Sequence, residues 1–228
     1  MPTPALPSLD ELVNALPEIY QPIYGHAEYD ARSGRKVEER FQSILAVHDA
    51  LRRQLGRPVR VLDLGSAQGW FCLSLAKAGA QTLGIDIIAA NINVSNMLLL
   101  ENRGLTARFQ LFEAESVPGS VSEGQFDLVL GLSVLHHICY HKGKEAARDF
   151  MQALFAKIPN GIFEFALASE PTELAPAQPD NPEFLIEHVP FFRILSRNQS
   201  HLSETMRPLY FCSTRNWYFG EEMKPFDR

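Results

Sequence analysis

Two acidic residues and a pair of glycines carry the chemistry that is easiest to read in this chain. In Val61-Leu62-Asp63-Leu64-Gly65-Ser66-Ala67-Gln68-Gly69, a short apolar run ends in Asp63 and passes into a turn with glycines four positions apart. Glycine lets the backbone take unusual φ values and lets a ligand approach closely, because no Cβ intervenes. A second apolar run, Leu83-Gly84-Ile85, ends in Asp86. A carboxylate at the end of that strand is placed to accept hydrogen bonds from the two hydroxyls of a ribose. A pyrophosphate-binding turn would call for G-x-G-x-x-G. This turn has G-x-x-x-G with Asp63 beside it, a poor neighbour for phosphate and a good one for a cation. The ligand that combines a ribose and a cation without phosphate is S-adenosyl-L-methionine. A nicotinamide dinucleotide is disfavoured by the missing middle glycine, and a purely structural turn by the strand-end Asp86.

The elements that must position these residues follow from periodicity. Arg60–Leu64 and Thr82–Ile85 read as strands on either side of a helix at 71–78, within about 30 residues, and this βαβ unit implies a parallel sheet. Further strands are expected at 107–112, 126–130, 161–167, 191–196 and 209–213, the last two forming a hairpin. Helices are expected at 89–102 and 144–157. Upstream, Ser8 and Glu11 form a capping-box pattern before Leu9, Leu12, Val13 and Leu16. Pro17 and Pro22 end that helix. A longer one is expected at 36–55, with Val37, Phe41, Ile44, Leu45, His48, Leu51 and Leu55 inward and Gly56 as its stop. The segment 168–182, with Pro171, Pro176, Pro179 and Pro182, reads as a loop.

Composition narrows the class. A hydrophobic fraction of 46% and a charged fraction of 21% belong to an ordinary globular chain, and a net charge of −6 without a basic stripe disfavours nucleic acid. Cys72, Cys139 and Cys212 are odd in number and lie in apolar runs, which suits buried thiols in a reducing compartment. No run approaches the roughly 20 apolar residues of a membrane span. A cytoplasmic protein without membrane insertion is therefore expected.

The turn at Asp63–Gly69, Asp86 and the strand Phe126-Asp127-Leu128-Val129 resemble class I S-adenosylmethionine-dependent methyltransferases. That resemblance implies an α/β Rossmann-like fold: a mostly parallel seven-stranded sheet, a C-terminal antiparallel hairpin and, here, an N-terminal helical cap. It makes residues 1–58 the cap, 59–220 the core of one methyltransferase domain, and 221–228 a linker to a downstream region. It also implies that Ile87 follows the ribose carboxylate and that Glu113, Ala114 and Glu115 lie by the adenine, the choice between the two glutamates staying open.

A narrower likeness covers nearly the whole chain. Leu16-Pro17-Glu18-Ile19-Tyr20-Gln21 with Gly25-His26, then Leu55-Gly56-Arg57-Pro58, are similar to the methyltransferase domain of the WbdD-type enzymes that terminate lipopolysaccharide O-antigen polymannose chains. So are Gly131-Leu132-Ser133-Val134, His136-His137-Ile138, Gln178-Pro179-Asp180 and Arg207-Pro208-Leu209-Tyr210. The likeness implies an N-terminal loop folded over the cofactor. Tyr20, Gln21 and Arg40 would then join Gly65, Asp86 and Leu132 around it, with Arg40 facing the cofactor carboxylate. It implies a glycan or sugar-phosphate acceptor, a kinase or glycosyltransferase partner, and recruitment to the inner face of the membrane. The alternatives are a small-molecule O-methyltransferase of the same fold and a catalytically quiet cofactor-binding module.

His136 and His137 follow the fourth strand at the ligand-binding edge and are the candidates for a general base. With Cys139 and His141 they make a superficially metal-like set. Adjacent positions diverge, however, and transfer from a sulfonium needs no metal, so none is expected. Arg193, Arg197, His201 and Arg207 are cations available to an acceptor, and Phe191, Phe192, Trp217 and Tyr218 are stacking faces.

Overall fold

A computed structural model describes residues 7–33, 36–200 and 203–216. In chain order its main elements begin with α1 (Leu9–Asn14), α2 (Glu38–Leu55), β1 (Arg60–Leu64), α3 (Trp70–Lys77), β2 (Gln81–Asp86), α4 (Ala89–Glu101) and β3 (Ala107–Leu111). They continue with α5 (Val117–Ser120), β4 (Leu128–Gly131), α6 (Leu135–Lys142), α7 (Lys144–Phe155), β5 (Asn160–Glu164), β6 (Phe191–Gln199) and β7 (Met206–Ser213). Short 3-10 turns lie at Ala27–Arg32, Ala114–Ser116, Ala175–Ala177 and Pro182–Ile186.

The seven strands form one sheet in the order β3-β2-β1-β4-β5-β7-β6. Strands β1 to β5 are parallel, whereas β7 runs antiparallel between β5 and β6. This is the sheet that the sequence resemblance implied, hairpin included. The sheet order reverses between β1 and β4, and ligands sit in the crevice that such a switch opens at the carboxyl ends of the strands.

Both faces of the sheet are covered, and the strand sequences show why. Val61, Leu128 and Leu130 pack with Ile44, Val47 and Leu51 of α2 on one face. Their neighbours Leu62 and Val129 pack with Met151 and Leu154 of α7 on the other. Within α2 the inward set differs slightly from the periodic expectation: Leu45 is half-buried and Val47 is buried. The α1 capping box forms as expected, with Ser8 and Glu11 exchanging hydrogen bonds.

Some boundaries differ from expectation. Phe126 and Asp127 precede β4 instead of opening it, and the Asp127 carboxylate is held by Arg57 (2.7 and 2.7 Å) and Arg60 (2.8 Å). The fifth strand stops at Glu164, which pairs with Leu209 while its carboxylate meets Arg40, and 165–167 lie outside the sheet. The residues 135–142, not assigned to an element from the sequence, form α6. His201, Trp217, Tyr218 and the linker 221–228 lie outside the described residues.

One buried residue of α2 predicts a pH dependence. His48 is fully buried, and burial holds its pKa below the usual 6.5 while Asp49, 2.9 Å from Nδ1, pulls the other way. A histidine whose folded pKa lies below its unfolded one keeps the fold stable above about pH 6.5, and that stability is lost as pH falls through this value. Thermal denaturation from about pH 8 down to about pH 5 should show His48→Leu losing less stability than the parent chain. Equal losses would rule His48 out as the source.

Candidate active site

The turn after β1 has three residues with positive φ: Gly65 (66°), Ala67 (46°) and Gly69 (79°). A Cβ on Gly65 would stand 2.6 Å from Val134 Cγ2, so the turn and the β4–α6 loop meet only because glycine is there. Gly69 is the N-cap of α3, and a Cβ there would stand 2.6 Å from the Phe109 ring. Asp86 locks the arrangement from β2. Its Oδ2 accepts from Ala67 N–H at 2.9 Å and its Oδ1 from Ile88 N–H at 2.8 Å. A carboxylate has about four acceptor sites, so two remain for a ligand.

The N-terminal segment is stitched over this turn by two glutamines. Gln68 Oε1 accepts from Gln21 N–H (3.0 Å), and its Nε2 donates to Asn91 Oδ1 (2.8 Å) and to the Glu18 carbonyl (3.2 Å). Gln21 Oε1 in turn accepts from Trp70 N–H at the start of α3 (3.1 Å). Residues 18–21 therefore form a strap fixed to the turn. Gln68 occupies one of the open positions of the glycine motif, and its type was the signal available in the sequence.

Beneath the strap lies a cavity of about 560 Å³. Of the residues singled out from sequence, Tyr20, Gly65, Asp86 and Ile87 line it, as do Glu113, Ala114, Glu115 and His137. Gln21, Arg40, Asp63 and Leu132 line a narrow recess that shares Tyr20, Gly65 and Ser133 with the cavity. Gly69 and His136 line neither. Gly69 packs α3 against β3, and the His136 ring lies against that of His137, centroids 4.2 Å apart. The His136 carbonyl accepts from Gln178 Nε2 (3.3 Å), which ties the proline-rich loop to α6. Sequence reasoning passed over Asn91 and Ile88 as lining residues, and His141, which lies one helical turn beyond His137, was weighed only as a metal ligand.

The electrostatics divide the site. Burial pushes Asp63 up to about 7, against the hydrogen bond that the Cys72 thiol donates at 3.5 Å, with the charge of Asp86 adding to the rise. Arg40 is also buried, yet its Nε donates to Glu164 at 2.6 Å and its Nη2 to the Gln199 carbonyl at 3.2 Å. Arg207 is not a surface cation: it forms a bidentate pair with Glu170 (2.7 and 2.6 Å) and lies 3.9 Å from Glu164. Desolvation lowers the His137 pKa, and His141 lowers it further. Glu115 is 2.8 Å from Lys142 Nζ on α6, while Ile87 and Ile88 are 69% and 40% exposed. Uncovered isoleucines beside a cavity offer an apolar face to a flat ring.

A doubly wound sheet with a reversed hairpin, a glycine turn and paired acidic residues at its switch point defines a methyltransferase. Residues 35–199 match the model of a methyltransferase domain family, and the chain belongs to that family. It is 41% identical, over 218 residues, to the O-antigen chain terminator bifunctional methyltransferase/kinase WbdD of Escherichia coli. The match covers 96% of this chain and 31% of that protein, so the chain spans about a third of the length of this relative. A solved structure of the bifunctional kinase-methyltransferase WbdD superposes with a TM-score of 0.92 at 41% identity, covering 97% of this chain and 49% of the other. Magnesium protoporphyrin IX methyltransferase from Synechocystis, solved with bound SAM, shares the fold at a TM-score of 0.56 and 19% identity, covering 83% of this chain and 84% of the other. Among the described residues, no helix is long and apolar enough to cross a membrane.

Proposed function

We propose that the chain uses S-adenosyl-L-methionine to methylate the non-reducing end of a lipopolysaccharide O-antigen polysaccharide, on a terminal sugar phosphate or hydroxyl. The observation that carries this reading is the extent of the likeness to the chain terminator, which covers 96% of the chain. Likeness to ubiquinone biosynthesis O-methyltransferases covers 35% to 51% of it. The longer match takes in the strap, whose Glu18 and Tyr20 line the cavity, and the C-terminal hairpin as well as the generic core. A kinase, as in the name of the bifunctional relative, would supply a phosphorylated acceptor. The reaction would take place in the cytoplasm, at the inner face of the membrane.

The donor groups fit the cofactor. Asp86 would accept the ribose hydroxyls, Ile87 and Ile88 would cover the adenine, and Glu113 or Glu115 would receive its amino group. Asp63 would face the cationic end, and Tyr20, Gln21, Arg40 and Leu132 would enclose the amino-acid end. When bound, S-adenosyl-L-methionine supplies a methyl group activated by a sulfonium. The protein's part is to hold the acceptor oxygen in line with it, and such positioning supplies much of the rate. His137, at the cavity wall and largely neutral at pH 7, would accept the proton of a hydroxyl acceptor. A phosphate oxygen is already anionic and would need no base.

Transfer from labelled S-adenosylmethionine to synthetic oligomannosides with and without a terminal phosphate tests this reading. If the plain glycan is labelled, His137→Ala should slow the reaction about 100-fold, whereas His136→Ala should have a much smaller effect. If only the phosphorylated glycan is labelled, His137→Ala should change the rate less than about tenfold. Labelling of neither, with cofactor still bound, would refute the glycan reading and leave a small-molecule methyltransferase or a quiet module.

A further inference from the structure

Among the described residues, the recess at the end of β1 contains a carboxylate without a matching cation. Asp63 is 2% exposed and opens onto the space bordered by Tyr20, Gln21, Arg40 and Gly65. The cation that borders the same recess is committed elsewhere: Arg40 is held by Glu164 at 2.6 Å. The other acidic group facing Asp63 is Asp86, which repels it, and the side chain that donates to it is Cys72, one turn into α3. A thiol is a weak donor. A buried carboxylate with only such support favours its protonated, neutral form, until a positive charge arrives.

We propose that Asp63 gives up a proton when the cationic end of the cofactor enters the recess, and that Cys72 is the positioning residue that sets how readily it does so. This inference rests on the cofactor reading above. The exchange balances: one O–H bond of the carboxyl breaks, the proton leaves to solvent, and the new carboxylate charge is matched by the ligand cation. No other bond changes. The burial that raises Asp63 to about 7 places the exchange near neutral pH. The cofactor should therefore bind about tenfold more tightly at about pH 8 than at about pH 6.

Calorimetric titration of the full chain, in buffers of differing ionisation heat, measures both the affinity and the protons released. S-adenosylmethionine should release most of one proton at about pH 6 and little at about pH 8. 5′-Methylthioadenosine has the same ribose and adenine but no cationic end, so it should bind with little pH dependence. Cys72→Ala should move the midpoint of the S-adenosylmethionine profile upward and leave the high-pH affinity nearly unchanged, and Cys72→Ser should move it downward. A thiol with a merely structural role would instead weaken binding equally at every pH. Asp63→Asn should flatten the profile, and if that variant does not fold, the Cys72 pair still decides. Tight binding of S-adenosylmethionine with a flat profile and no proton release would overturn the proposal while leaving the cofactor reading intact. An identical profile for methylthioadenosine would also overturn it, because the titrating group would then face the nucleoside. Failure to bind S-adenosylmethionine at any pH would overturn the cofactor reading and this inference with it.

Discussion

Replacing Asp86 with alanine is expected to weaken S-adenosylmethionine binding at least 100-fold. The carboxylate performs two tasks from one buried position. It would receive the ribose hydroxyls, and it also accepts from Ala67 and Ile88 N–H at 2.9 and 2.8 Å. Hydrogen bonds to a charged group contribute about 1.5 to 3 kcal/mol each, so losing two to the ligand alone amounts to more than two orders of magnitude. The substitution also leaves two backbone donors without their acceptor, and both turns that frame the cavity lose their common anchor. Asp86→Asn, which keeps an acceptor oxygen and the side-chain shape, should retain more affinity than the alanine variant. Calorimetric titration gives the affinity, and a thermal melt separates lost binding from lost folding. A folded Asp86→Ala protein with affinity within about threefold of the parent would remove Asp86 from the cofactor site.

Glu170→Ala should lower the free energy of unfolding by about 3 to 5 kcal/mol, the range for stranding a buried charge. Its partner Arg207 is 3% exposed and, among the described residues, would keep the 3.9 Å contact with Glu164 as its ion pair. Desolvation would raise the Glu170 pKa, yet the hydrogen bonds from Arg207 hold it below the ordinary value, so the pair is ionised in the fold. A domain of this kind is stable by only about 5 to 15 kcal/mol, which makes the loss a large share of the whole. The double variant Glu170→Leu/Arg207→Met should recover most of it, because a well-packed apolar pair has no buried charge to leave alone. Urea titrations of the parent, the single variant and the double variant form the comparison. A loss below about 1 kcal/mol for Glu170→Ala would show that Arg207 finds another partner or reaches water.

The sheet, its hairpin and the glycine turn after β1 were legible in the sequence because each rests on short-range physics. Strand β1 falls on Arg60–Leu64 as expected, since a short apolar run before a glycine turn, buried on both faces, leaves little choice of where the strand lies. Gly65 and Gly69 take the left-handed φ that their type suggested, and the Ser8 capping box forms from residues three apart. Asp86 sits at the carboxyl end of β2 because strand length alone carries it there. These features were determined by the sequence itself.

The choice among partners was decided only by the tertiary structure. Arg40 reaches Glu164 across 124 positions, and Arg207 reaches Glu170 across 37, so an arginine that looked available to a ligand carboxylate or an acceptor is already engaged. Of two adjacent histidines, the rotation of α6 brings His137 to the cavity and turns His136 away. Gln68 could be read as a loop residue until the strap arrived to be bound by it. Local stereochemistry specifies where the chain turns, but which charge meets which depends on surfaces that the folded layers bring together.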